Sequence, residues 1–252
     1  MADAQQLRCK IEHHVGALSL SVEFSLTAPW TMLFGPSGSG KSTVLRVLAG
    51  FVKPQNGLVT AAPFARALLD TAAGIDLAPH QRPVRFAPQL ARLMPHRSVL
   101  ANVRYGMDRN GMSEKLTSET VQEVLELFRI RSLTERRPAG LSGGEMQRVA
   151  VARAVLAAVT YRGPQRALLL LDEPFHGLDF ALRNALAPGL RKFLRSWKIP
   201  VLSVSHDVVE AYLLEAEVLR LADGQVVAQG PVSEVLAPVR EELLRQLHAE
   251  RR

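Results

Sequence analysis

Cysteine is almost absent from this chain: Cys9 is the only one in 252 residues. A single thiol excludes a disulfide within the chain and any metal site built on several cysteines. Such usage fits a reducing compartment. Long apolar runs are missing too. The longest strongly apolar run is ALLLL, residues 167–171, far short of the ~20 residues a membrane-crossing helix needs. The opening stretch MADAQQLRCKIEHH holds no apolar core of signal-peptide length, so the chain reads as soluble. There is no internal repeat, no low-complexity tract and no sustained heptad. Lysine is scarce, at positions 10, 41, 53, 115, 192 and 198 only, so the net charge of +7 comes mostly from arginine. A basic balance admits nucleic acid, anionic headgroups or nucleotide as partners, and equally a plain solvated surface.

What is present is a hydrophobic share of 47%, enough for one large α/β domain or a domain with an insertion. Leu18, Leu20, Val22, Phe24 and Leu26 alternate with polar residues, the period of a half-buried strand. WTMLF (30–34), ALLLL (167–171) and VLSVS (201–205) read as buried strands. GLVT (57–60) and VRFA (84–87) are weaker strand signals. Helical periodicity follows the glycines after position 34 and stops at Gly50; it recurs over 98–103, 119–129, 143–158 and 232–248. Asp-Gly inside EVLRLADGQVVAQ (217–229) is a hairpin signal. Buried strands alternating with helices predict a parallel sheet, with an antiparallel edge contributed by the alternating strands. Residues 90–158 look helical throughout and read as an inserted subdomain.

Several stretches carry chemistry. GPSGSGKST, from Gly35 through Pro36, Ser37, Gly38, Ser39, Gly40, Lys41 and Ser42 to Thr43, lies between a strand and a helix. Its backbone N–H groups can cradle phosphate, Lys41 brings a charge to the β- and γ-phosphates, and Ser42 offers a hydroxyl to Mg²⁺. In ALLLLDEP, Asp172 and Glu173 end a buried strand, where open α/β sheets place their ligands. Asp172 suits Mg²⁺ and Glu173 suits polarisation of an attacking water. Gln89, after another strand, can ligate Mg²⁺ or orient water. His206 ends a further strand and is placed to contact a γ-phosphate, while Asp179 by itself is an ordinary helix N-cap. LSGGEMQR (141–148) opens a helix with Ser142, Gly143 and Gly144, a second phosphate grip without a lysine.

These motifs, in this order, resemble the ATP-binding subunits of ABC transporters over nearly the whole chain. LSGGEMQR between the Gly-rich loop and LLLLDEP is the specific part of the match. The resemblance implies one ATP-hydrolysing P-loop domain over residues 1–252, with a nucleotide-binding core at 1–89 and 159–252 and a helical subdomain at 90–158. It implies two copies paired head to tail. Each ATP would lie between the Gly-rich loop of one copy and Ser142, Gly143, Gly144 and Glu145 of the other. By the same resemblance Gln89 senses Mg²⁺ and touches a membrane permease, Asp179 lies in a loop crossing the dimer interface, and His206 is the switch histidine. The implied partners are a second copy, permease subunits and, indirectly, a substrate-binding protein, at the cytoplasmic face of the cell membrane.

Residues 74–107 look most like the same segment in molybdate importer ATPases, and Glu145 is common in that group. Some features depart from the family. An aromatic residue usually stacks on adenine ahead of the Gly-rich loop, where this chain offers His13 or His14 in IEHHVGA. Pro88 precedes Gln89 and stiffens that loop; His176 in HGLD is unusual. The chain stops soon after DGQVV, so the regulatory domain of such importers is expected to be missing. Alternatives are an ATPase of another importer or an exporter, or a DNA-maintenance ATPase. The last would need a long coiled coil or zinc module between Gln89 and Ser142, and positions 90–141 hold neither, so no nucleic acid partner is expected.

Overall fold

The computed structural model describes residues 7–61, 66–108, 114–161 and 167–249. Five parallel strands form its centre: β3 (Trp30–Phe34), β7 (Val84–Ala87), β8 (Leu168–Asp172), β9 (Val201–Ser205) and β10 (Glu217–Ala222), in the spatial order β10-β3-β9-β8-β7. β3, β8 and β9 are buried at every position, as expected of strands covered on both faces. Their side chains part by alternation. Leu33, Leu170, Leu202 and Val204 face one apolar cluster; Met32, Leu169, Leu171 and Val201 face the other.

The first cluster is closed by α1 (Lys41–Ala49) and by antiparallel strands β1 (Leu7–Val15), β2 (Leu18–Leu26) and β4 (Asn56–Ala61). β5 (Arg66–Asp70) and β6 (Ile75–Asp76) continue that edge. The hairpin expected at Asp223–Gly224 is present, joining β10 to β11 (Gln225–Pro231). A single bridge from Gln225 to Ser21 ties β11 to β2. The second cluster packs under α2 (Val99–Val103), α3 (Glu114–Leu127), α4 (Gly143–Val159) and α5 (Phe180–Ser196). Thus α2, α3 and α4 share their apolar contacts with the sheet.

Arg82 pins the two halves of the phosphate-loop side. Its guanidinium is 1% exposed and donates to Val47 O and Leu48 O at the end of α1, while pairing with Asp76 at 2.8 Å. It therefore supplies a donor to Leu48 O at the helix end and shares Val47 O with the Gly50 N–H. The same residue leads into β7, which delivers Gln89.

Two expectations need correction. Residues 90–98 are turns and extended chain rather than helix. Pro95 interrupts the apolar run, and buried Asn102 holds it from below, accepting from Met94 N and donating to Met94 O, Arg97 O and Ser98 O. Residues 232–248 form two helices, α7 (Val232–Val235) and α8 (Ala237–Ala249). Pro238 has no N–H to donate and so starts a new helix there instead of continuing the old one.

Candidate active site

The carboxyl ends of four adjacent strands meet on one side of the sheet. β3 delivers the Gly-rich loop, β8 Asp172 and Glu173, β9 His206, and β7 Gln89. In the loop, Gly35 is required by proximity: a Cβ there would lie 2.2 Å from Leu221 O. Gly40 caps α1 at φ +98, a conformation L side chains avoid. Ser39 is buried with its hydroxyl oxygen lacking a hydrogen-bond partner, and Pro36 and Ser37 are exposed. The loop encloses a cleft of about 320 Å³ lined by Ser37, Gly38, Gly40, Lys41, Ser42 and Thr43, with Gln89 and Glu173 opposite.

Lys41 is 6% exposed and folds back, donating to Gly35 O at 2.8 Å and Pro36 O at 2.6 Å. Burial lowers its pKa, and Glu173 and Asp172 oppose that shift. Ser42 Oγ donates to Asp172 Oδ1 at 3.0 Å. Burial raises the Asp172 carboxyl above its ordinary range, against the Ser42 hydrogen bond. A buried, costly carboxylate beside a hydroxyl is a pair of hard oxygen donors, the set that Mg²⁺ takes from a protein while phosphates and water supply the rest. Among the described residues no group of three or more His, Cys, Asp or Glu forms a self-sufficient metal cage.

Glu173 is braced from three sides. Gln89 Nε2 donates to its Oε2 at 3.2 Å, His206 Nδ1 lies 3.2 Å from Oε1, and His176 Nδ1 lies 3.5 Å from Oε2. Its backbone sits at φ +47, an uncommon value for a non-glycine residue that sites of chemistry often hold. The site therefore combines an anion-binding loop, a hard-cation pair and a carboxylate held by an amide and an imidazole. That is the equipment for water attack on a phosphate.

The LSGG segment lies elsewhere. Ser142, Gly143, Gly144 and Glu145 do not line the cleft. Ser142 is the N-cap of α4 in a closed capping box: its Oγ accepts from Glu145 N at 3.3 Å, and its own N–H donates to Glu145 Oε2 at 2.7 Å. Ser142 and Gly143 are exposed, and Gly144 packs against Gly177 O. Asp179 is the N-cap of α5, accepting from Leu182 N at 2.8 Å.

His13 and His14 do not line the cleft. The His13 ring is bonded to the Gln55 side chain, which also accepts from His14 N. The residues on that wall are Val15 and Leu18. Sequence reasoning also missed Gln147, whose Nε2 donates to Glu173 O at 3.4 Å from inside α4. Its only signal was its place one turn into the LSGG helix.

Fold and site together define a P-loop nucleotide-binding domain. The sequence pattern of the ABC transporter family matches residues 20–176, and the chain belongs to that family. It is 40% identical over 230 residues to the "Molybdenum import ATP-binding protein ModC" of Mesorhizobium japonicum, covering 91% of this chain and 59% of that protein. It is 36% identical to the "Molybdate/tungstate import ATP-binding protein WtpC" of Archaeoglobus fulgidus, covering 96% and 94%. The chain spans about six-tenths of the length of the Mesorhizobium and Rhodospirillum rubrum relatives it matches. A dimeric, post-hydrolysis structure of the ATP-binding cassette MJ0796 bound to ADP and Pi superposes with a TM-score of 0.71 at 25% identity, covering 90% of this chain and 98% of that one.

Proposed function

We propose that the chain is the ATP-binding and ATP-hydrolysing subunit of an importer for molybdate or a related oxyanion. One observation carries the hydrolase reading: Lys41, Ser42, Gln89 and Glu173 line one cleft, with Asp172 bonded to Ser42 and His206 beside Glu173, while the exposed LSGG segment lies outside it. Lys41 leaves its loop carbonyls for the β- and γ-phosphates. Ser42, Asp172 and Gln89 would hold Mg²⁺, which would neutralise phosphate charge. Glu173 takes a proton from the attacking water, and His206 orients Glu173 and the γ-phosphate. Ser142, Gly143 and Gly144, at the start of α4, close on the ATP of a second copy, with Asp179 at the same interface. Glu145 supports the grip by fixing Ser142. The substrate reading rests on the names of the relatives.

No described helix is long and apolar enough to cross a membrane, so transport requires permease partners. The apolar run after Gln89 divides by burial. Val99 is core, Leu93 packs against core, and Leu90 is 73% exposed beside Gln89. Leu90 is therefore the residue offered to a permease helix. In proteoliposomes holding the chain and its permease, molybdate-loaded binding protein should stimulate ATP hydrolysis several-fold, and sulfate-loaded protein should not. Leu90→Glu should keep its melting temperature yet fail to co-purify with the permease. Stimulation by another solute would reassign the cargo. No stimulation by any loaded binding protein would remove the importer reading.

Val15 lines the cleft on the side where the sequence offers His13 or His14 for adenine, which makes it the position to test for stacking. Val15→Tyr should tighten ATP by about fivefold or more, since base–aromatic stacking is worth ~1–3 kcal/mol. Titration with a fluorescent ATP analogue checks this. Unchanged or weaker binding would place the base away from Val15.

A further inference from the structure

The turn after β9 carries a buried carboxylate that none of the roles above uses. Glu210, in the first turn of α6 (Val208–Leu213), is 6% exposed. Its Oε2 accepts from Ser205 Oγ at 2.6 Å. That same hydroxyl oxygen accepts the Asp207 N–H at 3.1 Å. Ser205 and Asp207 are the two neighbours of His206, so the chain Glu210–Ser205–Asp207 straddles the histidine. Asp207 Oδ1 caps α6, accepting from Val209 N at 2.7 Å and Glu210 N at 3.3 Å. From α5, Arg183 pairs with Asp207 Oδ2 and lies 4.0 Å from Glu210 Oε1. The imidazole itself is 62% exposed, with Glu173 as its partner. Its aim is therefore set by the backbone turn rather than by packing around the ring.

We propose that Glu210 is a positioning residue for His206: through the Ser205 hydroxyl it fixes the turn that points the imidazole at Glu173. The proposal rests on the ATP-hydrolysis reading of the site. A buried hydrogen bond to a carboxylate is among the stronger restraints a protein can place on a turn. Position alone supplies the rest, because a general base held about an ångström out of place loses much of its effect.

Burial pushes the Glu210 carboxyl up to about 7; the Ser205 hydrogen bond opposes this, Asp207 adds to it, and Arg183 and His206 oppose it. Above that pH the carboxylate is charged and its bond to Ser205 strengthens. The wild-type rate should therefore carry a component that rises through about pH 7. For stability the sign is opposite. The folded chain keeps a proton that an unfolded glutamate releases near its ordinary value. This group's contribution is then full in acid and is lost as pH rises through about 7.

The test compares steady-state ATP hydrolysis by the full chain as wild type, Glu210→Ala, Glu210→Gln, His206→Ala and the double variant Glu210→Ala/His206→Ala. Glu210→Ala should lower kcat about tenfold with KM for ATP within about twofold, the pattern of a lost transition-state arrangement. Glu210→Gln still accepts from Ser205, so it should recover kcat to within about threefold while lacking the component that rises through about pH 7. On the His206→Ala background Glu210→Ala should cost nothing more, as residues acting through one another are non-additive. If Glu210→Ala fails to fold, Glu210→Asp, one methylene short of Ser205, replaces it in every comparison. A fully additive loss in the double variant, a Glu210→Ala rate equal to wild type, or a folded Glu210→Gln as slow as Glu210→Ala would each overturn the proposal. A wild-type chain without ATP turnover would instead overturn the hydrolase reading and this proposal with it.

Discussion

Glu173→Gln should lower ATP turnover by about 10²–10⁴-fold, the usual contribution of a positioned general base, while ATP still binds. The reason is local. Glutamine keeps the volume, and its carbonyl oxygen still accepts from Gln89, but it cannot take a proton from water. The backbone at φ +47 is fixed by the Glu173 N–H to Val204 O bond at 3.1 Å, and neither depends on the side chain. Asp172 and Ser42 keep their own contact at 3.0 Å. With ATP bound and not consumed, the variant should accumulate as a dimer. Single-turnover kinetics with labelled ATP, followed by size-exclusion chromatography in ATP and Mg²⁺, reads both results. Turnover within about tenfold of wild type would assign the proton to another group.

Lys41→Ala and Ser142→Arg should fail in different ways. Lys41 is the one cation among the described residues lining the cleft, and its two bonds to Gly35 O and Pro36 O hold its ammonium against the Gly-rich loop. Removing such a charge costs about 2–5 kcal/mol, so nucleotide binding should weaken roughly 30- to several thousand-fold. Ser142 lies outside that cleft. Ser142→Arg should bind ATP nearly as wild type does, because the first grip is intact. It should not turn ATP over, because the bulky cation blocks the second grip. Calorimetric ATP titration and a phosphate-release assay separate the two. Equal loss of binding in both variants would place Ser142 in the same cleft as Lys41.

Much of this site was legible because its chemistry is local in the chain. The Gly-rich loop sits between a strand whose residues are all buried and a helix opened by Gly40, and both neighbours read correctly from WTMLF and the periodicity behind Lys41. Asp172 and Glu173 were legible for the same reason: a run of leucines ends where they begin. The Asp-Gly hairpin and the start of α4 at Gly143 were equally direct. β1 was missed. Its inward residues, Leu7, Cys9 and Ile11, are outnumbered by charge and histidine, and only pairing with β2 and β4 makes it a strand. The turns at 90–98 read as helix from sequence because closely spaced apolar residues look alike in both, and buried Asn102 that organises them lies downstream in α2. Val15 was passed over for the histidines beside it. Which residue reaches the cleft depends on how the β1–β2 hairpin ends, and His13 is drawn aside by Gln55 from β4's approach. Glu210 carried no motif at all; its meaning comes from a hydroxyl five residues earlier.

Under the proposed function, Lys41 and Ser142 serve one ATP from two different copies. The most direct measurement mixes Lys41→Ala with Ser142→Arg and follows phosphate release as the ratio varies. A mixed dimer places both lesions at one site and leaves the other site whole. Activity should be absent in either variant alone, appear on mixing and be greatest near equal amounts. Mixtures as inactive as their parts, with mixed dimers demonstrated by tagged pull-down, would contradict it.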